Sequence, residues 1–185
     1  MLIINQFNVI SKIEAKMLAQ DWVMTFDFVV TPFGQCLMAC YDKQICYFAF
    51  CNDDEGLALV QLQKYWSNVT FSEAQQSMQP LANLIFSLST NASVNLLATG
   101  TVFQASVWQK LLEIPVGLTV SYQHIANQLK NPRATRAVGS AIGNNPLAYI
   151  IPCHRIICSS GKLGGYRWGV ATKNSLLMYE RQHVA

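Results

Sequence analysis

The chain lacks any stretch approaching the roughly 20 uninterrupted apolar residues that a membrane-spanning helix requires, although 51% of its 185 residues are hydrophobic. It also lacks the basic start, apolar middle and small-residue cleavage site of a secretory signal, so the expected location is the cytoplasm, or the nucleoid if the source is bacterial. None of the spacings among its six cysteines forms a compact disulfide framework. Cys36, Cys40, Cys46 and Cys51 lie in strand-like sequence without the paired C-x-x-C or cysteine-plus-histidine spacing that zinc normally wants. Reduced, buried thiols are expected there, and no metal site.

Acidic residues are scarce in the second half. Residues 101–185 hold two Asp/Glu against nine Lys/Arg, a net of +7, whereas residues 1–100 hold eight against four, a net of −4. Only the second half is suited to a polyanion such as nucleic acid, although a merely soluble domain can show the same excess.

The length permits one compact domain or two small ones. From Met24 to Cys51 the sequence alternates and is rich in β-branched and aromatic residues, broken by Thr31-Pro32-Phe33-Gly34 and Asp42-Lys43. That pattern predicts a three-stranded meander. Apolar residues at helical spacing over Leu57–Trp66 and Gln75–Leu88 predict helices packed on this sheet. The expected fold is α+β: a small antiparallel sheet with helices over residues 1–95, then a mainly helical unit over 96–185, joined through the polar stretch Ser87–Thr101.

Thr101 can cap a helix containing Phe103, Val107, Trp108, Leu111 and Leu112, which ends before Pro115 and Gly117. Ser121 caps a second, shorter helix. After Asn131-Pro132 a third runs from near Ala134 to about Gly143. Two short helices across a tight turn form the helix-turn-helix pattern, which ordinary helical hairpins share. The third helix is built of small residues, Ala134, Thr135, Ala137, Gly139, Ser140 and Ala141, with Arg136 alone projecting from its first turn. Such a surface suits tight helix packing, and equally a close approach to a narrow groove with one arginine reaching in.

The apolar run Leu147–Ile151 is short enough for a buried extended segment, and Pro152-Cys153-His154-Arg155 follows it. A cysteine beside a histidine suggests a nucleophile and its base, because the thiolate is the reactive form. The pair alone is shared with zinc sites and plain packing.

Pro152-Cys153-His154-Arg155-Ile156-Ile157 resembles the active-site motif of the O6-alkylguanine-DNA alkyltransferases, and four further blocks agree in order and spacing. These are Gly100-Thr101-Val102-Phe103-Gln104 with Val107-Trp108; Val120-Ser121-Tyr122-Gln123; Arg136-Ala137-Val138-Gly139; and Gly165-Tyr166-Arg167-Trp168-Gly169. The resemblance runs through nearly all of residues 100–182 and thins over the first half to the Thr31–Gly34 turn and the strand pattern. It implies a ribonuclease H-like first unit and a helix-turn-helix in the second. It also implies single-turnover DNA repair, in which an alkyl group on O6 of guanine in duplex DNA, and by extension O4 of thymine, moves irreversibly to Cys153.

Position by position, the resemblance makes His154 the histidine that takes the thiol proton through a water, Glu180 the acid that orients and charges it, and Asn145 the brace of the active-site turn. Tyr122 becomes the proton donor at guanine N3, and Lys173 a support of the same network. Arg136 becomes the residue that fills the stack behind a flipped nucleotide, with Ser121, Thr135 and Ala137 also facing DNA. Tyr122, Ile142, Ile156, Tyr166, Arg167 and Trp168 are expected to line the substrate pocket. A monomer in the minor groove, without cofactor or membrane, is the implied assembly.

Adjacent residues of an extended segment point to opposite faces, so a bridging water between Cys153 and His154 is expected. Two departures stand out. Arg167 and Trp168 occupy positions where some members carry small residues, which bears on pocket width, and the first half shows no match to the zinc ligands of some relatives. Three rival readings are a non-catalytic alkylguanine-binding relative, which would lack the acceptor Cys153; a helix-turn-helix regulator, which would need base-reading side chains on the third helix; and a cysteine hydrolase, which would turn over.

Overall fold

The structure is a computed structural model that describes residues 2–75, 77–87 and 93–183. The chain forms two compact units, Met1–Thr101 and Val102–Ala185. In the first, the expected meander is present as β2 (Val23–Thr31), β3 (Gly34–Tyr41) and β4 (Gln44–Phe50), paired antiparallel in register Thr31↔Gly34 and Tyr41↔Gln44. Asp42 and Lys43 both take positive φ, 45° and 61°, the two-residue geometry that matches the twist of a hairpin. At the other turn the Thr31 hydroxyl donates to the Gly34 carbonyl at 2.6 Å and accepts from the Phe33 amide.

The sheet is larger than the expected antiparallel one, and mixed. β1 (Ile3–Ile10), β5 (Thr70–Glu73) and β6 (Ser93–Thr99) join it through parallel pairings, giving the order β1-β6-β4-β3-β2-β5. β6 lies inside the segment expected to be a linker, of which residues 88–92 fall outside the described residues. Val94, Leu96, Leu97 and Ala98 of β6 are buried. A boundary at residues 95 and 96 would cut this strand, and the first unit instead runs to Thr101. Among the described residues its α-helices are α1 (Lys12–Leu18), α2 (Glu55–Tyr65) and α3 (Gln79–Phe86); Gln76 and Leu88 of the helix expected over Gln75–Leu88 lie outside the described residues. A Ser11–Glu14 capping box starts α1 and the Asp54 carboxylate starts α2, each satisfying amides that the first helical turn leaves free. Met24, Leu37, Tyr47, Phe48, Leu62 and Trp66 form the centre of the core.

The second unit contains α4 (Val102–Leu112), α5 (Tyr122–Gln128), α6 (Thr135–Gly143) and α7 (Val170–His183), with a short parallel pair β7 (Val120–Ser121) and β8 (Ile156–Ile157). The Ser121 hydroxyl caps α5 by accepting from the His124 amide at 3.1 Å. Buried Trp108 on α4 donates its indole N–H to the Ala141 carbonyl of α6 at 2.9 Å, which locks the two helices together without exposing a polar atom. Leu147–Ile151 is buried as expected but is not extended. It coils through successive turns, with Tyr149 at φ 63° and the Ile151 amide bonded to the Leu147 carbonyl at 3.0 Å. Cys153–Arg155 then forms one turn of 3-10 helix.

Candidate active site

The turns after α6 are held by one side chain. Asn145 has no exposed surface. Its amide nitrogen donates to the Ile151 carbonyl at 2.9 Å, the Leu147 carbonyl at 3.3 Å and Cys153 Sγ at 3.2 Å, while its oxygen accepts from the Leu147 amide at 2.9 Å. A buried amide with both ends engaged is rigid, so Asn145 fixes the turn and the sulfur together. Burial pushes the Cys153 thiol up to about 11, against the Asn145 hydrogen bond and the positive charge of Lys173, so the sulfur is protonated at neutral pH and needs a base.

His154 provides one. Its ring is fully buried, Nε2 lies 2.8 Å from Glu180 Oε1, and Nδ1 has no hydrogen-bond partner among the described residues. Beside a carboxylate the N–H belongs on Nε2, which leaves the Nδ1 lone pair as the acceptor. Burial, with the positive charges of Arg155 and Lys173, holds the imidazole below its ordinary pKa against the pull of Glu180, so the neutral base form is favoured. Tyr149 stacks on this ring at 5.4 Å and 10°. Tyr149 takes this place from a backbone of positive φ, 63°, within the coiled turn.

Glu180 is itself anchored. Arg155 donates from Nε and Nη2 to the carboxylate at 2.7–3.1 Å, and the Gly117 amide donates to Oε2 at 3.1 Å. Burial by itself would raise this carboxyl, but the hydrogen bonds and charges of His154 and Arg155 outweigh it and hold the group at about 2. Arg155 also donates to the Ile114 carbonyl, so a guanidinium, an imidazole and a carboxylate share one buried cluster. Nothing in the motif itself points to this role of Arg155 beyond its place before the apolar Ile156-Ile157, since an arginine carried into a core requires a partner.

A cavity of about 380 Å³ opens onto Cys153, lined by Tyr122, Gly139, Ile142, Gly143, Gly165, Tyr166, Arg167 and Trp168. Five of the six expected pocket residues are among these. Ile156 is not: it lies in β8, buried, with its carbonyl taking a hydrogen bond from Lys173. Lys173 is also completely buried and donates to the carbonyls of Leu163 and Gly165, which ties the loop forming one cavity wall to α7. Burial holds its pKa below the ordinary lysine value, opposed by the thiols of Cys153 and Cys158. Tyr122 is raised by burial and by the same two thiols. Gly164, at φ 69°, sits in a conformation that strains other residues, and a Cβ there would crowd Cys158 Sγ at 3.1 Å. Trp168 is buried edge-on to Tyr166 at 5.2 Å, and the Arg167 guanidinium lies 5.5 Å from its ring centre.

Arg136 and Ala137 are exposed on α6, and Thr135 at its start donates to Gln123 of α5 at 2.8 Å. Positions 136, 139 and 143 share one stripe of the helix, so Arg136 sits one turn from Gly139 and two from Gly143, the glycines of α6 that line the cavity. Both acids of this unit are occupied, Glu113 by Lys110 and Glu180 by His154 and Arg155, while Lys130, Arg133 and Arg136 are exposed near the α5–α6 turn.

A buried cysteine at the floor of a cavity, beside a histidine polarised by a carboxylate, defines a cysteine-nucleophile site of the transferase or hydrolase kind. Comparison with known proteins narrows the class. Residues 102–182 match the family described as 6-O-methylguanine DNA methyltransferase, DNA binding domain. The chain is 37% identical over 164 residues to a methylated-DNA–protein-cysteine methyltransferase of Methanosarcina barkeri, covering 87% of this chain and 99% of that protein. The crystal structure of Mycobacterium tuberculosis OGT in complex with DNA superposes with a TM-score of 0.69 at 34% identity, over 85% of this chain and 93% of that one. The chain therefore belongs to the methylated-DNA–protein-cysteine methyltransferase family. It is also 40% identical over 154 residues to the bifunctional transcriptional activator/DNA repair enzyme Ada of Escherichia coli, and spans 43% of that protein's length.

Proposed function

We propose that this chain repairs DNA by direct reversal, moving the alkyl group of an O6-alkylguanine in duplex DNA onto Cys153, where it stays. The observation that carries the reading is the relay beside the thiol: Nδ1 of a neutral His154, without a partner among the described residues, and Nε2–H bonded to a Glu180 that the Arg155 guanidinium and the Gly117 amide help hold ionised. In the step, His154 takes the thiol proton through a water, sulfur attacks the alkyl carbon, the S–C bond forms and the C–O6 bond breaks. Tyr122 gives its proton to N3 of the departing guanine and regains one from the imidazolium side of the relay. Glu180 stabilises the imidazolium in between. The thioether offers water no polarised carbonyl, so each molecule reacts once and needs no cofactor. Alkyl groups on O4 of thymine present the same carbon to the same sulfur.

An alkylated base inside a duplex is out of reach, and extrusion costs a few kcal/mol of stacking and pairing. We read α5 and α6 as a helix-turn-helix that enters the minor groove as a monomer, with Ser121, Thr135 and Ala137 against the strand and Arg136 in the space the base leaves. The small side chains of α6 and the position of Arg136 one turn from the cavity support this reading. In the first unit, three antiparallel strands with a parallel fourth and helices packed on them support a ribonuclease H-like description.

The test is a single-turnover reaction with duplex DNA carrying labelled O6-methylguanine, followed by peptide mapping. One methyl per protein is expected, on Cys153 and none on Cys158. Label spread over several cysteines, or tight binding without transfer, would reject the proposal; repeated turnover would point to a hydrolase.

A further inference from the structure

We propose that the first unit carries a second, separate site that binds a small molecule bearing a phosphate group. A cavity of about 260 Å³ lies among α1, the end of α2 and the end of β6, and Lys12, Lys16 and Lys64 stand around it with Ala15, Ala19, Tyr65, Trp66 and Thr99. Residues 1–100 contain four Lys/Arg in all, against eight Asp/Glu. Three of those four cations therefore converge on one cavity in a unit whose net charge is negative, and among the described residues no acid lines it. Lys12 and Lys16 are a turn apart on one face of α1 and both line the cavity, and Lys64 lines it from the last turn of α2. Among the described residues no carboxylate pairs with any of the three; Glu14, the acid of α1, is turned to the Ser11 amide at 2.7 Å.

The second observation is at the cavity wall. Thr99 is 3% exposed and its Oγ1 has no hydrogen-bond partner among the described residues, whereas buried hydroxyls are normally satisfied. Its backbone is fixed by Tyr65, whose hydroxyl donates to the Thr99 carbonyl and accepts from the Thr99 amide, both at 2.8 Å. The tyrosine is thus fully engaged and leaves the threonine hydroxyl for a ligand oxygen. Three lysines around the cavity, the buried Thr99 hydroxyl and the Tyr65, Trp66 and alanine surface between them fit a phosphate carried on a small, partly apolar body. A DNA backbone fits less well, because a duplex phosphate cannot enter a concave site to reach a 3% exposed hydroxyl and because the unit as a whole repels a long polyanion.

The experiment titrates the full chain with inorganic pyrophosphate, following backbone amides by NMR against sodium chloride of matched ionic strength. The expected result is saturable shifts confined to residues 12–19, 64–69 and 99. Affinity should fall at least about tenfold in the triple variant K12Q/K16Q/K64Q and about threefold in T99V, with unchanged circular dichroism and unchanged methyl transfer by both. The proposal is overturned if shifts do not saturate below about 10 mM, if chloride reproduces them, or if the triple variant keeps them. It is equally overturned if an undamaged DNA duplex perturbs the same amides more tightly than pyrophosphate does, which would make this face a nucleic-acid surface.

Discussion

A carboxylate without exposed surface persists as an anion only where its oxygens are claimed, and Glu180 meets that condition through His154, Arg155 and the Gly117 amide. On the proposed relay its role is electrostatic, so Glu180→Gln should slow methyl transfer by about 100-fold while leaving DNA affinity nearly unchanged. Single-turnover rates and equilibrium binding of the same variant separate the two; a parallel loss of affinity would mean that Glu180 acts through the fold. The pH dependence follows from His154. Only its neutral form accepts the thiol proton, and its folded pKa lies below the ordinary 6.5, so transfer should be flat through neutral pH and decline only in a window below 6.5. A pH–rate profile with its acid midpoint above 6.5 would contradict the burial argument. Tyr149, stacked on the ring, and Arg155, forked onto the carboxylate, belong to the same device, because each limits how the imidazole can turn.

At the level of elements, α6 serves two surfaces with one set of small residues. A Cβ at Gly139 would meet the Tyr122 ring at 3.8 Å, ordinary van der Waals contact, so Gly139→Ala should be tolerated and gain about 0.5–1 kcal/mol of helix propensity. Gly139→Leu should instead drive Tyr122 from the cavity and cut methyl transfer by at least about tenfold. Thermal melts and transfer rates of the pair test this; equal rates for the two would show that the stripe does not border the reacting base. The helices of this half were legible in the sequence because periodicity and caps are local, as at Ser121 and Trp108. The active-site motif was legible because its chemistry is contiguous from Pro152 to Ile157. Non-local pairings were not. β1 and β6 join the sheet through parallel partners far away in the chain, and the Ser, Thr and Asn content around β6 resembles a linker until the burial of Val94, Leu96 and Leu97 is seen. Leu147–Ile151 reads as extended because its apolar run says only that it is buried; the turns come from Asn145, whose hydrogen bonds no periodicity reveals. Ile156 was misplaced for a related reason, since a residue beside the motif in sequence faces the core and lends the site only its carbonyl.

For the whole molecule the decisive property is segregated charge, −4 in residues 1–100 and +7 in residues 101–185, behind a net of only +3. Counterion release counts local phosphate contacts and not net charge, so affinity for undamaged duplex should follow Lys130, Arg133 and Arg136. If each of the three neutralised a phosphate, log affinity would fall against log salt with a slope of about −3. Arg136 is assigned a different task, and the slope exposes it. As the group that fills the space behind an extruded base, it contributes little to counterion release, so the expected slope is nearer −2, and Lys130→Gln should reduce it by about one while Arg136→Ala should not. Arg136→Ala should still cripple repair in duplex DNA, because the cost of a few kcal/mol for unstacking then goes uncompensated. A free O6-alkylguanine base has no stack to leave, so the same variant should react with it at close to the unmutated rate. Neutralising Asp42 and Glu73 in the first unit should leave the slope alone. A slope that shrinks by one in Arg136→Ala would make this residue a phosphate contact, and an equal loss of rate on free base and duplex would mean that α6 itself had been damaged.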